Sequence, residues 1–235
     1  ALYETHKATT YPRSDSGYLP ESMFAEVPAV LDSPLKTDPS LRPIMSQLDR
    51  SQRSRAWNDG KVTAHHGIIP TLEPANLSPL SEKELAVYRL IRAHYLAQFL
   101  PHHEFDRTVA EFSCGQQMLV ATGKQVVVKG WRLVLAEPQA DEDGDDAARS
   151  QVLPPLRGGL ACQVAEVEIK ALKTMPPKPY TQGELVKSMK GIARFVTDPR
   201  LKQKLKDTTG IGTEATRANI ISGLLSVGNS LANSC

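Results

Sequence analysis

Thr9-Thr10-Tyr11-Pro12-Arg13-Ser14-Asp15-Ser16 brings a phenol, a guanidinium, a carboxylate and four aliphatic hydroxyls into eight consecutive residues. Pro12 disfavours helical geometry at the residue before it, so a helix entering from Ala1 to Ala8 ends there and Tyr11 is presented from an extended segment. Positions two apart in an extended chain face the same side, which sets the Arg13 guanidinium beside the Tyr11 phenol. Arginine offers a planar fork suited to phosphate oxygens. An ordinary tyrosine titrates near about 10 and is a poor nucleophile at neutral pH, and cationic neighbours favour its phenolate. The run reads as a phosphate-directed nucleophile or as a surface turn with an Arg-Asp pair, and spacing alone favours the turn.

On either side of this run the chain is mixed α and β. Pro20 suits the first position of a helix reaching about Leu31, with Pro28 breaking or restarting it. A second helical stretch is predicted over Leu41 to Trp57, and Pro70, Pro74 and Pro79 make residues 60–80 a loop. The clearest helix runs from Ser81 to about Leu100, with Ser81 and Glu84 as a capping box and Leu80 stapled onto Leu85. Val87, Tyr88, Ile91, Tyr95 and Phe99 line its inner face. The period then turns strand-like over Phe105 to Phe112, Gln117 to Ala121, Gln125 to Val128, Trp131 to Leu135 and Cys162 to Leu172, with Gly115, Gly123 and Gly130 as turns. Between these strands, residues 137–159 are too polar to pack and read as a flexible loop. Its acid run Asp141 to Asp146 lacks calcium-loop register.

Pro176, Pro177 and Pro179 form a stiff connector into a third, helical part. Thr181 and Glu184 repeat the capping box for a helix to about Val196, Asp198-Pro199 opens another ending near Lys206, and Thr213 caps the last. The domains predicted are thus 1–104, helical with Tyr11; 105–175, a β-rich hinge; and 176–235, helical with a disordered tail from Ser226.

The chain has 235 residues, 40% of them hydrophobic, and a formal net charge of +2, enough length to bury one or two cores. Lys+Arg against Asp+Glu is 11 to 12, 8 to 10 and 9 to 4 across the three domains, so only the last is basic. Nothing reads as a signal peptide or membrane span, so a cytoplasmic protein is expected. Cys114, Cys162 and Cys235 are too scattered for a disulfide framework or a zinc site.

Leu2-Tyr3-Glu4, Lys7 and the run Thr9 to Ser16 together resemble, residue for residue, the active-site signature of type IA DNA topoisomerases, with Ser14 where threonine is usual. Ala64-His65-His66-Gly67-Ile68-Ile69-Pro70-Thr71 resembles the family's active-site histidine segment, with Gly67 for the usual alanine. Gly210-Ile211-Gly212-Thr213-Glu214-Ala215-Thr216-Arg217 resembles its DNA-contacting helix start. The proline-rich segment from Pro176 to Gly183 is similar to the bacterial topoisomerase III branch.

The resemblance implies that Tyr11 attacks single-stranded DNA and joins its 5′ phosphate, a reversible exchange that needs no nucleotide cofactor. Arg13 would bear on the scissile phosphate, His65 would touch the phosphate or the tyrosine, and Asp15 would orient Arg13 or His65. Lys7, Gly212, Thr213, Thr216, Arg217, Lys187 and Lys190 would contact DNA. The implied architecture is three pieces of a toroid whose hinge bends to pass a second strand, for relaxation or decatenation, in a monomer associated with the nucleoid.

Magnesium, in this family, is held by an acidic Toprim domain that precedes the tyrosine. Only ten residues precede Tyr11 here, so that domain is expected as a missing partner and the chain alone is expected to be inactive. A non-catalytic single-strand-binding module with a relic tyrosine is the alternative. A tyrosine recombinase, which surrounds its nucleophile with several arginines, ranks third.

Overall fold

Prolines set where the first helices begin. Pro20 precedes a 3₁₀ turn, Glu21–Glu26, and Pro28 lies in the first turn of α1, Val27–Thr37, where a missing N–H costs nothing. Val27, Val30 and Leu31 form the buried stripe of α1 at helical spacing. The computed structural model describes residues 1–135, 151–169, 171, 173, 174, 176, 178–208 and 210–232. It divides into two units, Ala1–Gln163 and Val164–Cys235, so the β-hairpin falls with the helical part that carries Tyr11.

The helix expected over Leu41 to Trp57 does not form. A 3₁₀ turn, Pro39–Leu41, and the single-turn α2, Arg42–Met45, take its place. Asp49 competes for the backbone: its carboxylate accepts from the Ser51 amide and hydroxyl, and its carbonyl from the Gln52 amide. These bonds hold the Asp49 carboxyl below its ordinary value, the Ser51 hydroxyl first among them.

Helix α3, Glu82–Leu96, keeps its expected capping box and continues as a 3₁₀ turn over Ala97–Phe99. The Glu84 carboxylate accepts from the Ser81 hydroxyl and amide, which hold its carboxyl below the usual range. Tyr88, Tyr95 and Phe99 are buried as expected, whereas Val87 is 48% exposed. Burial pushes the Tyr88 and Tyr95 phenols up. Leu31, Trp57, Ile69, Leu96 and Phe99 meet Tyr95 in the main core, each large side chain contributing about 1.5–3 kcal/mol by leaving water.

Two antiparallel strands follow, β1 at Glu104–Cys114 and β2 at Gln117–Val128, joined at Gly115, whose φ of 61° suits a tight hairpin turn. Gly123, read from the sequence as a turn, instead pairs with Thr108 inside a continuous β2. Its missing side chain has another use: a Cβ there would lie 2.8 Å from Leu153 Cγ, and the neighbouring Lys124 amide donates to the Gln151 carbonyl at 2.8 Å.

Trp131 to Leu135, expected as a strand, begins instead within a 3₁₀ turn, Gly130–Leu133. Gly130 turns the chain at a φ of 53°, so close to Pro101 and His102 that a Cβ would fall 2.3 Å from the Pro101 carbonyl oxygen. Residues 162–169 form no strand. Positions 136–150, with the Asp141 to Asp146 run, and Lys170, Leu172, Met175, Pro177 and Cys235 lie outside the described residues.

In the second unit the capping box of Thr181 and Glu184 opens α4, Gln182–Lys190, and a 3₁₀ turn follows at Ile192–Phe195. Asp198 accepts from the Arg200 and Leu201 amides to start α5, Pro199–Asp207. Helix α6 runs over Glu214–Ala232, so the backbone stays helical past Ser226, where a disordered tail was expected. Among the described residues no helix is long and apolar enough to cross a membrane.

Candidate active site

Hydrogen bonds between two distant segments hold Tyr11 in place. The Thr10 amide donates to the Ile69 carbonyl at 2.9 Å, and the Ile69 amide returns a bond to Thr10 Oγ1 at 3.0 Å. Thr9 bridges to Pro70, and the Thr71 amide donates to the Ala8 carbonyl. The same extended stretch is tied further on, where the Gly67 amide donates to Tyr18 and the Leu19 amide to Ala56. The Tyr11 and His65 segments therefore form one short, irregular ladder.

Lys7 makes the turn into this ladder. Its φ of 51° lies in the left-handed region, a cost of about 1–2 kcal/mol for a residue with a Cβ. Its carbonyl accepts from Thr71 Oγ1 at 2.6 Å, and its ammonium sits 5.9 Å from the Tyr3 ring centroid.

Tyr11 is 36% exposed, beyond the apolar core. Its ring lies between two others. His65 is 4.5 Å away between centroids, tilted by 45°, and Tyr3 meets it edge to face at 5.4 Å. Arg13 lines the same cleft as Tyr11, together with Tyr3, Glu4 and Lys83, in a volume of about 530 Å³. Arg13 is exposed, and among the described residues its guanidinium has no ion pair.

Asp15 Oδ1 accepts from Thr63 Oγ1 at 2.7 Å, a contact beyond the Arg13 or His65 pairing expected for it. The Ser14 hydroxyl donates to the His65 carbonyl at 3.2 Å, and Thr63 Oγ1, its proton directed to Asp15, lies 3.4 Å from the same oxygen. Ser14 thus ties the His65 backbone to the tyrosine segment. His66 turns away and places Nδ1 2.7 Å from the Gly67 carbonyl oxygen, as the alternation of an extended chain requires. Sequence reading missed Thr63 and the tethering role of Thr10 and Thr71, for which a density of hydroxyl residues beside both motifs was the signal.

The remaining candidates lie in the second unit. Gly210 and Gly212 turn at φ of 93° and 72°, and the Ile211 amide donates to the Met189 carbonyl at the end of α4. A Cβ on Gly210 would stand 2.3 Å from that same Met189 oxygen. Thr216 Oγ1 accepts from the Thr213 amide at 3.0 Å, and the Thr213 carbonyl receives the amides of Thr216 and Arg217. Thr213 therefore stands at the helix entry, as expected.

Arg217, expected on DNA, is instead 2% exposed. Its Nε and Nη2 donate to the carbonyls of Ile211 and Gly212 at 3.0 and 2.9 Å, so its charge holds the glycine turn from inside. Lys187 and Lys190 are exposed on α4. No group of three or more His, Cys, Asp or Glu able to hold a metal occurs among the described residues.

Comparison with known proteins gives this arrangement a context. The profile of the DNA topoisomerase family matches residues 1–228. DNA topoisomerase 3 of Vibrio cholerae is 40% identical over 228 residues, covering 97% of this chain and 34% of the relative. The Salmonella typhimurium protein of that name is 42% identical over 94% of this chain and 33% of its own length. For Bacillus subtilis the figures are 35%, 95% and 31%. The chain spans about a third of the length of these curated relatives. Matched almost end to end, with its tyrosine and histidine segments laced together, this chain belongs to the type IA DNA topoisomerase family.

Proposed function

We propose that this chain supplies the nucleophile of a topoisomerase III-like enzyme that cleaves single-stranded DNA, passes a strand and religates. The Tyr11 phenol oxygen forms a bond to phosphorus as the bond from phosphorus to the 3′ oxygen breaks. The phenol loses its proton and the departing 3′ oxygen gains one. One phosphoester replaces another, so the reverse attack by the 3′ hydroxyl reseals the strand without ATP.

The observation that carries this reading is the sharing of one cleft by a half-exposed Tyr11 and an Arg13 that has no ion pair among the described residues, with the His65 ring 4.5 Å from the tyrosine. A guanidinium beside the phosphate stabilises charge as it spreads over the oxygens. Thr213 and Thr216, at a helix entry, suit contact with a DNA phosphate. Arg217 serves there indirectly, by holding the turn.

In this proposal the complete protein works as a monomer in the cytoplasm on chromosomal DNA, and a separate Toprim domain provides magnesium. Tyr11→Phe in the complete protein is expected to abolish relaxation of supercoiled DNA and leave single-strand binding unchanged. Relaxation that survives the substitution would favour the relic-tyrosine alternative.

A further inference from the structure

The cleft that holds Tyr11 has a wall that no recognised motif contributes. Tyr3, Glu4, Tyr11 and Arg13 come from the N-terminal segment, whereas Lys83 and Val87 come from the first two turns of α3. Its volume of about 530 Å³ is within the range of roughly 300–1,000 Å³ typical of sites for small organic ligands, wide enough for one nucleotide.

The cleft's charges are unevenly engaged. Glu84 is occupied, because its carboxylate takes the amide and hydroxyl of Ser81. Arg13, Lys83 and Glu4 form no ion pair among the described residues, although all three line one space. Two cations on separate stretches of chain line one space wide enough for a nucleotide, and each suits a phosphate oxygen. The exposed Tyr3 ring adds an apolar surface to the same cleft, and stacking on such rings is tolerant of base identity.

From this geometry we infer that Lys83 holds the phosphate next to the scissile one, so that the Tyr11 cleft is a one-nucleotide subsite between Arg13 and Lys83. This rests on the reading of Tyr11 and Arg13 as the site of strand cleavage. Lys83 is a binding residue here: it fixes the strand's register against the nucleophile, and Glu4 is left to accept from an exocyclic amine of the enclosed base.

The test measures binding of a dye-labelled single-stranded oligonucleotide to the 235-residue chain across a range of salt concentrations. Lys83→Ala is expected to weaken binding about three- to tenfold at low salt and to reduce the slope of log K against log salt by about 0.7, the value for one phosphate contact on a single strand. Lys83→Arg should restore both, and Lys36→Ala, on α1 away from the cleft, should change neither. Lys83 is exposed, so circular dichroism is expected to be the same for all variants. Binding that is unaltered in Lys83→Ala overturns the inference and leaves the cleavage reading standing. A wild-type chain that does not bind single-stranded DNA also overturns the inference, whereas the cleavage reading is tested separately by Tyr11→Phe in the complete protein.

Discussion

The Tyr11 and His65 rings lie 4.5 Å apart at 45°, brought together by reciprocal bonds between Thr10 and Ile69. In the proposed reaction an imidazole this close to Tyr11 bears on the bond being made rather than on the fold, because His65 is exposed and its ring has no hydrogen-bond partner among the described residues. His65→Ala in the complete protein is expected to slow single-turnover cleavage about 100- to 1,000-fold, the usual effect of losing one charge-stabilising group. Oligonucleotide affinity should change less than about threefold.

Thr10 has a structural task that can be separated from chemistry. Its hydroxyl accepts the Ile69 amide, a half-buried donor with no other partner in the ladder. Thr10→Val should cost about 1–3 kcal/mol, the penalty of an unsatisfied buried group. Thr10→Ser should recover most of it. Urea denaturation of the chain, read by tryptophan fluorescence, provides the comparison.

A third expectation concerns acid. Asp38 accepts from the Ser40 hydroxyl and lies 2.9 Å from Nη1 of the buried Arg92, contacts that hold its carboxyl below the usual value against the opposing effect of burial. Its folded pKa is depressed, so its stabilisation is fully present above the unfolded value of about 3.9 and disappears as pH falls through the lower folded value. Asp38→Asn should destabilise the chain at pH 7 by about 1–3 kcal/mol, less than a fully buried pair because Asp38 is partly solvated. The wild-type advantage should shrink below about pH 4. Thermal melts of both proteins between pH 2 and pH 7 measure this.

Two glycines should respond in opposite ways. A Cβ on Gly67 would meet backbone atoms at 3.4 Å, ordinary contact, so Gly67→Ala is expected to be neutral or stabilising by up to about 1 kcal/mol. Gly210→Ala would press a methyl to 2.3 Å from the Met189 oxygen at a φ of 93°, and should cost more than about 2 kcal/mol. Differential scanning calorimetry of the two variants distinguishes them.

Much of this architecture was legible because its signals are local. The boxes at Ser81 and Thr181, and Asp198-Pro199, each start a helix from bonds reaching three residues. Two segments depart from expectation because a distant partner decides the backbone. Gly123 stays in a strand because Leu153 crosses it, and Trp131 enters a 3₁₀ turn because Gly130 closes on Pro101. Leu41 to Trp57 has helical periodicity, but Asp49 captures its own neighbours. At the site, Tyr11 and Arg13 line one cleft, which positions two apart on one side of an extended chain allow. The burial of Arg217 did not, since the carbonyls that hold it belong to a turn whose shape two glycines set.

The most direct measurement mixes the complete protein with a single-stranded oligonucleotide, quenches with denaturant, and maps the covalent adduct by peptide mass spectrometry. The expected result is a nucleotide joined through its 5′ phosphate to the peptide containing Tyr11, and no such adduct in Tyr11→Phe. An adduct on another residue, or a link through the 3′ phosphate, would contradict the account.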